Sequence, residues 1–308
     1  MLDLSVIIAT YNRSRTLGRT LAALAELDTL GLAWEVVVAD NNSRDDTPAV
    51  CRRWQGRLPL TYVFEGRQGK NAAYNTALAA ASGELIVTTD DDITPCRNWL
   101  KALREAARRW SDHDVFCGPV ITPIPSAFAG TLEGAVPTCN FNPPPPQRVL
   151  DADLMPIGAN LAFRRRCLEA ATAGGGTLFD PAIGPCGAGR ISGSESVALQ
   201  ALMQAGRRIV YVPEASVLHE TPAGFRTVGG LCRRAWAQGR GDVRVHRFGA
   251  DVPRLIGMPR FVLRTMVEDF LAAMGHLAAG RRKNALARLF HGVRFLAICR
   301  EWRKAARP

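Results

Sequence analysis

No stretch of this 308-residue chain approaches the ~18 consecutive apolar residues of a membrane-spanning helix. The opening Met1-Leu2-Asp3-Leu4 lacks the basic n-region of a secretory signal, so none is expected. Eight cysteines are scattered without a Cys-x-x-Cys pair, which argues against zinc ribbons and redox motifs and suits reduced thiols in a cytosol. Neither a Gly-x-Gly-x-x-Gly after the first predicted strand nor a Gly-x-x-x-x-Gly-Lys-Ser/Thr is present. The first absence disfavours a Rossmann dinucleotide site and the second excludes a P-loop. No internal repeat is found.

What is present is a 47% hydrophobic chain with an uneven charge. Residues 226–308 hold 18 Lys/Arg against 5 Asp/Glu, a balance of +13, while residues 1–225 hold 21 against 23, a balance of −2. A near-neutral body with a basic C-terminal segment predicts attraction to an anionic surface. Nucleic acid is disfavoured because no recognisable nucleic-acid module accompanies the charge.

The first half alternates strand and helix patterns. Leu4–Thr10, Trp34–Ala39, Leu60–Phe64 and Glu84–Thr89 read as strands. Thr16–Leu27, Thr47–Trp54, Asn71–Ala81 and Trp99–Trp110 read as helices. This alternation predicts an α/β fold with a mostly parallel sheet flanked by helices. Val115–Val120 reads as a further strand, residues 121–156 as a proline-rich loop, Ile157–Phe163 as a strand, Val197–Ala205 as a helix and Arg208–Val212 as a strand. From Arg226 onward strands are expected to disappear. Leu231–Gln238, Arg260–Ala279 and Asn284–Arg303 read as Arg-rich helices with apolar faces, able either to pack on the core or to lie in a bilayer interface.

The polar residues gather at predicted strand ends, where open α/β sheets place ligands. Strand one ends in Thr10-Tyr11-Asn12-Arg13 and strand two in Asp40-Asn41-Asn42-Ser43. Glu84–Thr89 runs into Asp90-Asp91-Asp92, three carboxylates best accommodated by a hard divalent cation such as Mn2+ or Mg2+. Together they offer hydrogen bonds to a base and ribose, and a cation site for a diphosphate.

These segments resemble family 2 glycosyltransferases with the GT-A fold. The match continues through Gly69-Lys70-Asn71-Ala72-Ala73-Tyr74-Asn75, Gly158-Ala159-Asn160, Phe179-Asp180, Gly193-Ser194-Glu195 and Tyr211 to His219, and covers roughly residues 1–220. The resemblance implies a GT-A-like domain over residues 1–225, with a nucleotide-binding half to about 120 and an acceptor-side half beyond, then a helical extension over 226–308. It implies inverting transfer of a sugar from a nucleotide-sugar, UDP by default, to a saccharide or lipid-linked acceptor. The expected setting is cytoplasmic, at the inner face of a membrane.

The resemblance also assigns expected roles. Asp40 belongs on the nucleobase and Asp90 near the ribose. Asp92 belongs on the metal, with His219 as a further ligand. Thr10, Tyr11, Asn12, Arg13, Asn42, Lys70 and Asp91 complete the expected donor set; on the residues alone, Lys70 and Arg67 are lone cations that can face either the nucleotide or solvent. Asn160, Arg234 and Trp236 are candidates for the acceptor or diphosphate. One departure stands out: the family's usual Glu-Asp reads Glu195-Ser196 here. Serine is no base at neutral pH, so Glu195 becomes the expected general base, with capping of the following helix as its alternative role. The rival readings are a sugar-nucleotidyltransferase and a nucleotide-sugar binder without turnover.

Overall fold

The computed structural model describes residues 2–123, 139–151, 154–173, 177–184, 194–220, 227–245, 253–255 and 258–305. Gly193, the boundary residue Arg226 and residues 124–138 of the proline-rich stretch lie outside the described residues. The chain divides into two compact units, the first comprising Met1–Thr122, Cys139–Ala182 and Ser194–Glu220.

In the first unit β1 (Leu4–Thr10), α1 (Ser14–Ala25), β2 (Trp34–Asp40), α2 (Thr47–Trp54), β3 (Leu60–Phe64), α3 (Lys70–Ala80) and β4 (Leu85–Thr89) alternate as expected. β5 (Ile93–Pro95), α4 (Trp99–Arg109), β6 (Val115–Cys117), β7 (Val120–Ile121) and β8 (Arg148–Val149) follow. Then come β9 (Leu161–Arg164), α5 (Arg165–Thr172), α6 (Ser194–Gln204), β10 (Ile209–Tyr211) and β11 (Val217–His219). The main sheet has the order β3-β2-β1-β4-β9-β6-β10-β8. β3, β2, β1 and β4 are parallel, β9 runs antiparallel to both β4 and β6, and β10 is parallel to β6. A second sheet, β5-β11-β7, carries His219 on its middle strand.

β1 is apolar and β-branched because helices cover both faces of the sheet: Leu4, Val6, Ile7 and Ile8 are fully buried. α4 buries Trp99, Leu100, Leu103, Ala106 and Ala107, a helical stripe facing this core. α1 begins at Ser14, two residues earlier than expected, where the Ser14 N–H donates to Asp45 Oδ2 at 2.8 Å. Asp45 Oδ1 also accepts from Thr47 N, so one carboxylate serves the starts of α1 and α2.

Three expectations fail for physical reasons, and one helix was not foreseen. Val115–Val120 is not one strand: Gly118-Pro119 interrupts it, and β6 and β7 join different sheets. Ile157–Phe163 opens as a 3-10 turn, Gly158–Asn160, and becomes strand only at Leu161. α5 carries two buried apolar side chains, Cys167 and Leu168, too few for a periodic signal. Strands do not vanish beyond Arg226, since β12 (Arg254–Leu255) and β13 (Met258–Pro259) form a short hairpin.

The second unit holds that hairpin with α7 (Val228–Val245), α8 (Arg260–Ala278) and α9 (Arg282–Ala305). α7 and α9 approach closely at Gly239, where a Cβ would lie 2.0 Å from the Arg294 carbonyl oxygen. Arg294 also grips Asp242 with two hydrogen bonds of 2.6 and 3.0 Å. Leu231, Ala235 and Phe290 form one buried cluster, and Met258, Val262, Ile298 and Cys299 another. Part of the predicted apolar faces is therefore internal packing.

Candidate active site

At the carboxyl end of β4 the three aspartates part company. Asp90, Asp92 and His219 converge: His219 Nε2 stands 3.5 Å from Asp90 Oδ2 and 3.3 Å from Asp92 Oδ1. One ligand atom from each residue falls within 4.8 Å of the others. Asp92 is 4% exposed, and its Oδ1 has no hydrogen-bond partner. A buried carboxylate oxygen left unpaired is costly unless something cationic meets it. Two carboxylates and one imidazole suit Mn2+ well. They suit Mg2+ less, because it prefers an all-oxygen shell.

Asp91 turns away from this cluster. Its Oδ2 accepts from Thr10 Oγ1 at 2.7 Å, and Arg13 Nη1 pairs with its Oδ1 at 2.7 Å. Arg13 Nη2 reaches Asp92 Oδ2 at 2.6 Å. Burial pushes the Asp91 carboxyl up to about 7, against the opposing pull of Arg13, and the charge of Asp92 adds to the rise. Thr10, Arg13 and Asp91 thus form an internal clamp that fixes the triplet, where a donor-contact role was expected.

Asp90 is likewise not simply a ribose ligand. Its Oδ1 accepts from Lys70 Nζ at 2.6 Å, and the same ammonium donates to Glu195 Oε1 at 2.6 Å. Burial opposes ionisation of Asp90, but the Lys70 charge and the His219 contact overcome it and hold the carboxyl below its usual range. Burial likewise disfavours the charge on Lys70, yet Asp90 and Glu195 keep its pKa well above the ordinary lysine value.

Glu195 sits in the first turn of α6, over the Gly158–Asn160 turn. A Cβ on Gly158 would lie 2.1 Å from Glu195 Cδ, so only glycine admits the carboxylate here. The turn is held to β4, where Thr88 Oγ1 donates to the Gly158 carbonyl and Thr89 Oγ1 to the Ala159 carbonyl. Asn160 was expected to face ligand, but it is fully buried. Its Oδ1 accepts from Trp99 Nε1, and its Nδ2 donates to the Pro119 and Ala215 carbonyls, leaving it a brace of the scaffold.

The outer wall comes from the first two strand ends. Asn12 and Asn42 take left-handed backbone conformations, φ 51° and 63°, which asparagine tolerates better than most residues. Asn12 Oδ1 accepts from Arg44 N, tying the two turns together. Tyr11 is exposed. Asp40 is 1% exposed, with one oxygen accepting from Ser43 N and the other from Tyr62 Oη, so it shapes the wall from beneath. Arg67 folds back on Glu65, donating through both its backbone N–H and its guanidinium. Arg234 and Trp236 lie on α7 in the second unit, where Arg300 stacks over the Trp236 ring at 5.5 Å.

Sequence reasoning missed two residues of α3. Tyr74 Oη donates to the Thr89 carbonyl at 3.0 Å, and Lys70 lies 5.0 Å from the centre of its ring. Asn71 Nδ2 donates to the Asp180 carbonyl, docking that segment, while Asn71 Oδ1 is buried without a partner. The usable signal was the spacing 70, 71, 74, 75, one polar face on an otherwise alanine-rich helix.

Residues 5–169 match the family model for glycosyl transferase family 2. The chain belongs to that family. It is similar to validoxylamine A glucosyltransferase of Streptomyces hygroscopicus subsp. limoneus, 40% identical over 105 residues, 33% of this chain and 23% of the relative. It is also similar to GalNAc(5)-diNAcBac-PP-undecaprenol beta-1,3-glucosyltransferase of Campylobacter jejuni, 33% identical over 116 residues, 37% of each chain. The likeness to these relatives thus spans about a quarter to two fifths of their lengths. Among solved structures, a mannosyltransferase of Pyrobaculum calidifontis in complex with GDP-Man and Mn2+ superposes with a TM-score of 0.62 at 21% identity, covering 100% of this chain and 90% of that one. TarS of S. aureus in complex with UDP-GlcNAc gives 0.52 at 17%, covering 94% and 90%. At these identities the likeness establishes the fold, a mostly parallel sheet flanked by helices with helices following at the C-terminus, as expected for this family 2 chain.

Proposed function

We propose that this family 2 chain is a metal-dependent inverting glycosyltransferase. It moves a sugar from a nucleoside-diphosphate sugar, a UDP-sugar by default, to a hydroxyl of a saccharide or lipid-linked acceptor. Its setting is the cytoplasmic face of a membrane. The observation that carries this reading is the Asp90–Asp92–His219 cluster, linked through Lys70 to Glu195. Both Mn2+ in the mannosyltransferase and the undecaprenol-linked name of the Campylobacter relative fit it.

Asp92 and His219, with Asp90, would hold the ion, Mn2+ or Mg2+. When bound, the ion supplies positive charge to the leaving diphosphate. Glu195 takes the proton of the acceptor hydroxyl as that oxygen bonds to the anomeric carbon. The bond from that carbon to the diphosphate oxygen breaks, and its electron pair leaves with the nucleoside diphosphate. Attack opposite the leaving group inverts the centre. Tyr11, Asn12 and Asn42 flank the nucleoside side, with Asp40 and Tyr62 behind them. Thr10, Arg13 and Asp91 keep the triplet in register.

The test is a thermal-shift panel of UDP- and GDP-sugars with Mn2+ or Mg2+, since a ligand that binds only the native state raises its stability. Asp92→Asn should abolish the metal-dependent part of the shift and leave the melting of the free protein nearly unchanged. An undiminished metal-dependent shift in that variant refutes the assignment. Ser196 favours a second reading, a nucleotide-sugar binder without turnover. Release of nucleoside diphosphate in the presence of acceptor separates the two.

A further inference from the structure

The second unit carries an apolar surface that its own packing leaves uncovered. On α8, Val262 and Asp269 face inward, 1% exposed each. At about 100° per residue, Val267, Leu271, Met274 and Ala278 fall within an arc of about 60° on the opposite side. Val267 is 50% exposed, Leu271 58% and Met274 60%, and Leu277 beyond them 62%. The outward face of a helix in water ordinarily carries charge, and from Val267 to Ala278 this one carries none.

Beside the stripe lies a groove of about 460 Å³ between α8 and α9. Leu263, Met266 and Leu296 give it an apolar floor, and Arg300, Arg303 and Lys304 form a cationic rim. Arg281, Arg282 and Lys283 stand exposed at the turn between the two helices. Residues 271–300 contain six Lys/Arg and no Asp or Glu. Among the described residues no helix is long and apolar enough to cross a membrane, so the apolar surface is a face and not a span.

We propose that the α8–α9 hairpin lies flat on an anionic phospholipid bilayer, with the Val267–Leu271–Met274 stripe at the headgroup–acyl boundary and a lipid phosphate seated among Arg300, Arg303 and Lys304. Charge selects this occupant. A second copy would bring one strongly basic hairpin against another, which like-charge repulsion opposes. An acidic bilayer complements the rim and accepts the stripe. At 19 residues α8 extends ~28 Å, enough to spread the contact over several lipid headgroups. The proposal deepens the membrane setting given above and rests on it, but the contact needs neither donor nor Glu195.

The experiment is co-sedimentation of the full chain with phosphatidylcholine vesicles, with and without phosphatidylglycerol, in the absence of nucleotide. The expected result is binding to the anionic vesicles only, weakened by salt. Leu271→Glu with Met274→Glu should abolish it. Arg303→Glu with Lys304→Glu should weaken it by more than about twentyfold, at about fivefold for each basic charge removed. Both variants alter exposed side chains and should melt and bind metal and nucleotide as the parent does. That readout keeps a failure here distinct from failure of the transferase reading. Binding that ignores phosphatidylglycerol, or that survives both double variants, overturns the proposal. So does a dimer of the intact chain that dissociates on Leu271→Glu, because a second copy then covers the stripe.

Discussion

Replacing Glu195 by glutamine removes one basic oxygen and almost nothing else. The side chain stays the same length and keeps its place over Gly158, where a Cβ would stand 2.1 Å from Cδ. Lys70 loses one of two carboxylate partners but retains Asp90 at 2.6 Å, so its buried charge is not abandoned. The carbonyl oxygen of the new side-chain amide still accepts from Lys70 Nζ. The fold should therefore lose no more than about 1–2 kcal/mol, the scale of one charge-assisted hydrogen bond made neutral. Donor affinity should change little, since Asp90, Asp92 and His219 are untouched.

Turnover should fall by about 10²–10⁴-fold, the range for loss of a positioned general base. At about 1.36 kcal/mol per factor of ten, this raises the barrier by about 3–5 kcal/mol. Two readouts are needed: release of nucleoside diphosphate at saturating donor and acceptor, and donor affinity by metal-dependent thermal shift. A large loss of turnover at constant affinity supports the assignment. Normal turnover refutes it and moves attention to Asp180, which is exposed, with Oδ1 accepting from Ala182 N. Lost donor affinity refutes it differently, by making the Lys70 bridge structural. Ser196→Asp is the companion variant, because a gain in turnover there would show that aspartate at the usual family position serves better.

Asn160→Ala should lower stability by about 2–4 kcal/mol, since Trp99 Nε1 and the Pro119 and Ala215 carbonyls lose their partner in a buried site; chemical denaturation measures it, and a neutral result would refute the bracing role. Glu65 has its carboxyl lowered to about 2, chiefly by hydrogen bonds from Arg67, against burial and with help from Thr76. A lowered carboxyl contributes stability above its unfolded value of 4.5 and loses it as pH falls towards about 2. Arg67 is largely exposed, so screening limits the gain to about 1 kcal/mol. The stability gap between parent and Glu65→Gln should close over that acid window, and a gap that is flat with pH would refute the pairing.

The first four strands and four helices were legible because hydrophobic period and strand-end polarity agree there. β1 and β3 carry their predicted limits, and α2 spans Thr47–Trp54 as read. The group of Asp90, Asp92 and His219, which could hold a metal, was half legible. Asp92 and His219 meet as the resemblance implied, but which aspartate joins them was not readable. A triplet following a strand does not announce which carboxylate turns outward, and here Arg13 and Thr10 decide by holding Asp91. Asn160 misled for a related reason. A polar residue in a family motif signals constraint, and a buried brace is as constrained as a ligand. The short strands β5, β7 and β11 were invisible because two or three residues carry no period. At the C-terminus, composition announced amphipathic helices but could not divide inward Val262, Phe290 and Ile298 from outward Leu271 and Met274.

The charges around the Asp90–Asp92–His219 cluster favour a cation there. Asp90, Asp91, Asp92 and Glu195 contribute four carboxylates, and the fixed cations paired with them are Arg13 and Lys70. With all four carboxylates ionised and His219 neutral, the balance is −2. In the proposed mechanism a divalent ion beside Asp92 Oδ1 would offset this balance, which favours binding of a nucleoside diphosphate. Arg13 and Lys70 alone cannot supply that offset, because both are consumed in holding the acids. The lysine bridge adds a second consequence. Lys70 contacts Asp90 and Glu195 with one ammonium, so a shift in one carboxylate reaches the other without passing through the backbone.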